Sequence, residues 1–105
     1  MSVHSIIFPN YLISTYEKIQ EWWQDLNGKQ TDLRVQDQSF LNTHPHGVFT
    51  IRNTRLLDDA LFWSIDDTDY LLQVRALELN TQTEILLAFS AGSELKEYYF
   101  SIIQN

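Results

Sequence analysis

The sequence predicts an α+β domain in which an N-terminal amphipathic helix packs on a twisted antiparallel β-meander of four or five strands and a C-terminal helix closes the chain. Three observations carry that expectation. Between Gly47 and Ala91, β-rich runs alternate with polar turns: Ala60 to Ile65 and Tyr70 to Leu79 flank Asp66-Asp67-Thr68-Asp69, and Asn80-Thr81-Gln82-Thr83 precedes Glu84 to Ser90. Leu12, Tyr16, Ile19, Trp23 and Leu26 recur at steps of four and three, which sets them on one stripe of a helix. Gly92-Ser93 ahead of Glu94-Leu95-Lys96-Glu97 has the form of a helix cap.

Taken in order, Val3 to Phe8 reads as a short strand that Pro9 ends by removing a ladder donor. The helix follows from an Asn10 cap, with Glu17, Lys18, Glu21, Gln24 and Asp25 facing water and Asn27-Gly28 accepting the left-handed conformation at its end. Thr31 to Asp37 alternates polar and apolar residues and is placed at a sheet edge because its polar members are many. Gln38 to His46 is expected as a loop anchored by Phe40 and Leu41, and the meander opens at Gly47 with Val48, Phe49, Thr50 and Ile51.

Residues 53–65 admit two readings. Leu56, Leu57, Ala60, Leu61 and Ile65 fit a helical stripe capped by Asn53, whereas Leu61, Trp63 and Ile65 alternate as a strand does. A loop or single turn over 53–59 followed by a strand suits the Asp-rich turn better. The final helix buries Leu95, Tyr98 or Tyr99, Ile102 and Ile103, with a strand over Tyr98 to Ile103 as the alternative.

At 105 residues the chain is one domain, and 44% apolar with 13% aromatic residues is the composition of a folded one. Its 14 acidic and 7 basic side chains give a net charge of -7, which repels phosphate backbones and anionic lipid and favours a basic protein partner. Neither direct nucleic-acid binding nor membrane association is expected. The absence of cysteine removes disulfides, thiolate metal sites and a cysteine nucleophile, and fits a cytoplasmic protein. The first residues lack a basic stretch and their apolar run is cut by Pro9, so they do not read as a signal peptide.

No motif names a reaction. There is no Gly-x-Ser-x-Gly elbow, and the three glycines do not assemble a phosphate-cradling loop. No catalytic residue and no cofactor is therefore assigned. His44 and His46 flank Pro45 with the spacing of two metal ligands in extended backbone, but a third ligand from His4, Asp37 or a turn aspartate is needed. Asp58, Asp59, Asp66, Asp67 and Asp69 form the densest charge group, without the glycine and closing glutamate of a calcium loop. Trp22 lies at the border of the helical stripe, where a half-exposed ring serves as an interface anchor.

These features point to a small acidic protein-binding module, in the manner of an inhibitor, immunity protein, antitoxin or chaperone, that docks a basic surface with Asp58, Asp59, Asp66, Asp67, Asp69 and Trp22. The alternative is a ligand-binding or enzymatic domain with a cavity between helix and curved sheet lined by Trp63, Tyr70 and Phe89. A homodimer that covers an exposed edge or aromatic face is compatible with either.

Overall fold

Strand alternation governs more of the chain than the α+β expectation allows: 64% of the described residues are strand, arranged as an eight-stranded, curled antiparallel half-barrel with one short helix. This overturns the helix on a four- or five-stranded meander with a second helix at the C-terminus. The computed structural model describes residues 3–7, 13–35, 45–90 and 97–103. They form β1 (Val3–Ile7), α1 (Ile13–Asp25), β2 (Gln30–Val35), β3 (Gly47–Thr50), β4 (Arg52–Leu57), β5 (Ala60–Ile65), β6 (Thr68–Asn80), β7 (Ile85–Ser90) and β8 (Glu97–Ile102).

The strand order is β3-β2-β8-β7-β6-β5-β4, with β1 also paired to β6. β3 and β4 stand at opposite ends of that order yet are separated in the chain by Ile51 alone, so the sheet has to curl until its ends meet. Ile51 is buried, its N–H donates to the Lys29 carbonyl and its carbonyl accepts the Gly28 N–H. Beyond it, Asn53 at φ 55 and a register shift between Arg52 and Arg55 mark the bulge that redirects the chain. A bulge of this kind bends the strand and increases its local twist.

α1 packs against β4 and β1. Trp23 Nε1 donates to the Arg55 carbonyl at 3.0 Å and the Tyr16 hydroxyl to the Leu56 carbonyl at 3.4 Å, which covers the edge strand β4. Ile19, Trp23 and Leu26 are buried and Glu17, Lys18, Glu21, Gln24 and Asp25 exposed, as the stripe predicts, while Leu12 lies outside the described residues. Gly28, at φ 86, supplies the left-handed residue at the helix end.

The inward rings meet at Trp63. Its centroid lies 6.0 Å from Trp23 and 5.2 Å from Phe100 in edge-on contacts, and 5.7 Å from Tyr70 in a stacked one. Such pairs contribute about 0.5–1.5 kcal/mol beyond the area they bury.

Three further expectations are corrected. The end of the chain is β8, because Tyr98 and Phe100 point inward, Tyr99 and Ser101 outward, and pairing with β2 on one side and β7 on the other outweighs a local helix signal. The segment expected as a loop before β5 is strand β4. β2 is not an edge strand, since β3 and β8 flank it. Phe40 and Leu41, like residues 91–96, lie outside the described residues.

Candidate functional site

The aspartates that are dense in sequence are divided in space. Asp58 and Asp59 form the turn between β4 and β5, and Asp66 and Asp67 the turn between β5 and β6, so the two groups sit at opposite ends of β5. Six residues of extended chain separate them by about 20 Å. One contiguous patch of all five is therefore not formed. Asp58 (φ 49) and Asp66 (φ 53) each hold the first position of a two-residue turn in a left-handed conformation, which aspartate tolerates better than most residues.

The end that carries Asp66, Asp67 and Asp69 is fixed by a chain of side-chain hydrogen bonds. The Asn53 N–H donates to Asn27 Oδ1 at 2.7 Å, Asn53 Nδ2 to Ser64 Oγ at 3.3 Å, and Ser64 Oγ to Asp69 Oδ1 at 2.7 Å. This ties the C-terminal end of α1 to the β5–β6 turn. The helix has no basic residue in its last turn and Asp25 adds to its negative end, while the Arg52 guanidinium lies beside Gly28 just beyond it. Asp25, Asp66, Asp67 and Asp69 are all exposed, and none has an ion-pair partner among the described residues.

Trp22 is not the half-exposed ring its position suggests. It is 8% exposed, and its indole N–H donates to the Glu84 carboxylate at 2.7 Å, which pins α1 to the β6–β7 turn. Glu84 is the partner that sequence reasoning missed, because 62 positions separate the two.

The place expected for a cavity is filled by rings. Trp63 is fully buried among Trp23, Phe100, Tyr98 and Tyr70, and Phe89, the third expected lining residue, stands on the opposite, outer face of β7. A shallow groove of about 340 Å³ between β1 and α1 is lined by His4, Thr15, Glu17, Lys18 and Glu21. No group of three or more metal-ligating side chains occurs among the described residues. His46 is exposed, and His44, its companion in the suggested ligand pair, lies outside the described residues.

Two tyrosines have hydroxyls harder to ionise than usual. Burial, and then the nearby Tyr70, raise Tyr98, whose hydroxyl donates to the Pro45 carbonyl. The hydrogen bond to Glu97, at 2.6 Å, is the main cause for Tyr99.

The outer face of the sheet went unread in the sequence. Leu86 and Ala88 of β7 point inward, whereas Ile85, Leu87 and Phe89 point outward and are only half-buried. Ile7, at 63% exposure, extends this apolar surface through Ala76 onto β1, whereas Val48, 54% exposed on β3, is separated from it by Ser101 and Asp32. The signal was available, since Ile85 to Phe89 is apolar at both parities, the mark of a strand covered on two sides.

No helix among the described residues is long and apolar enough to cross a membrane. No protein-family model matches the chain, and neither a curated protein nor a solved structure shows significant similarity to it.

Proposed function

We propose that the chain is a small acidic protein-binding module that docks a basic surface of a partner protein through the end of the sheet bearing Asp66, Asp67 and Asp69. The observation that carries this reading is the concentration of exposed negative charge there, without ion-pair partners among the described residues: Asp66 and Asp67 in the turn, Asp69 at the start of β6 and Asp25 at the end of α1, on a framework held by the Asn27–Asn53–Ser64–Asp69 hydrogen bonds. Charge fixed in this way steers a basic partner during diffusional encounter, so binding slows and weakens as salt rises. Asp58 and Asp59, at the far end of β5, contribute only to the net charge of -7.

The test replaces Asp66, Asp67 and Asp69 with Asn, which keeps the left-handed turn geometry and removes the charge. Wild type and variant are compared as tagged baits in lysate of the source cell at low and high salt, and association rates are then measured with the purified partner. The expected result is one basic protein retained stoichiometrically by wild type at low salt and released at high salt, with an association rate roughly tenfold lower for the variant. An unchanged association rate would remove the role given to this turn.

A further inference from the structure

We propose that the outer face of β7 and β8 is the interface of a twofold dimer of this chain, a reading independent of the acidic end. Strand register places Ser5, Glu78, Leu87, Tyr99 and Arg34 in one row across β1, β6, β7, β8 and β2. The row has an apolar and aromatic centre, an acid on one side and a base on the other. Glu78 and Arg34 lie equally far from the line midway between β7 and β8.

A twofold axis along that line reverses the row. Leu87 then meets Tyr99 of the second copy, and Glu78 meets its Arg34, twice by symmetry. In the next row Ile85 meets Ser101 and Asn80 meets Asp32. The charged groups are available for such pairing. Glu78 is exposed and has no ion-pair partner among the described residues. Arg34 engages Asp32 through Nε at 2.9 Å, and its terminal nitrogens have no carboxylate partner among the described residues. Within one molecule Glu78 and Arg34 are three strand spacings apart, about 14 Å, so they do not pair in cis.

A second copy is favoured over an unlike partner because the Glu78–Leu87–Tyr99–Arg34 row is complementary to itself. Four strands by six residues give a contact of at most roughly 400 Å² per copy, since the curled sheet is convex outward; this is no more than about half the standard interface, so the dimer is weak and depends on concentration. The acidic turn lies at the other end of β6 and stays uncovered, so a dimer presents it twice.

Sedimentation equilibrium from micromolar to about 1 mM protein tests the proposal. Wild type is expected to pass from monomer to dimer, and Leu87→Asp to remain monomeric. Glu78→Arg and Arg34→Glu, each alone, are expected to dimerise at least about tenfold more weakly, because like charges then face each other. An equimolar mixture of these two variants is expected to regain the dimer, since each reversed charge meets its complement across the axis. That recovery also shows that both variants are folded. Wild type that stays monomeric throughout, single variants that associate as wild type does, or a mixture that stays monomeric would each overturn the twofold arrangement.

Discussion

The two faces of β7 differ in what holds them. Leu86 and Ala88 on the inner face are fully buried by the chain's own core, in register with Phe100 and Tyr98 of β8. Ile85, Leu87 and Phe89 on the outer face have the same apolar chemistry but are only half-buried. A strand that served one core alone would alternate apolar and polar residues, as neighbouring β6 does with Leu77 and Leu79 inward and Glu78 outward. Inner-face residues are therefore a matter of folding, and the outer face of β7 is the one proposed above to associate.

That contrast can be broken most severely at Trp63. Trp63→Ala removes the ring on which the inner cluster converges, and is expected to cost about 3–5 kcal/mol in urea unfolding. A loss below about 1 kcal/mol would show that the cluster does not organise the core.

The next effect is smaller and depends on pH. Tyr98→Phe deletes the donor to the Pro45 carbonyl, at about 1 kcal/mol near neutral pH. Its folded-state ionisation is raised by burial first and Tyr70 second. The unfolded chain releases the same proton near pH ~10 and so binds fewer protons than the native state above that value. Stability from this group is thus complete below pH ~10 and falls as pH rises beyond it. Chemical unfolding between neutral and alkaline pH should show a flatter alkaline limb for Tyr98→Phe; equal limbs would argue that Tyr98 ionises without unfolding the chain.

The smallest effect sharpens the comparison from the other side. Leu87→Ser on the outer face should alter the stability of the monomer by no more than about 0.5 kcal/mol. A loss approaching that of an inner-face truncation would mean that the outer face is part of the monomer's own core.

The parts that were legible in sequence are those whose signal is local. The α1 stripe has a 3.6-residue period that Ile19, Trp23 and Leu26 obey, and the β5–β6 turn announces itself through consecutive aspartates, one of them at positive φ. β4 was not legible because its irregularity at Asn53 breaks the alternation, and Leu56 with Leu57 imitates a helical face. β8 was hidden by the Gly-Ser-Glu sequence ahead of it, which mimics a cap, while β2, one of the two strands that flank it, lies far away in the chain. The acidic group was misjudged for a related reason. Proximity along the chain suggested one patch, but β5 runs between its halves.

Ile51 also governs the order in which the half-barrel is completed. The successive hairpins of β4 to β7 close over short loops, whereas β2 finds β8, and β1 finds β6, only after more than half the chain has been gathered. Because β3 runs through Ile51 into β4, placing β3 beside β2 also brings the two ends of the sheet together. Loop entropy opposes the distant β2–β8 and β1–β6 pairings, so folding belongs to the slow range of milliseconds to seconds typical of such sheets. A chain cut at Ile51 would lose the covalent link that converts this final encounter from a search between separate segments into a local turn.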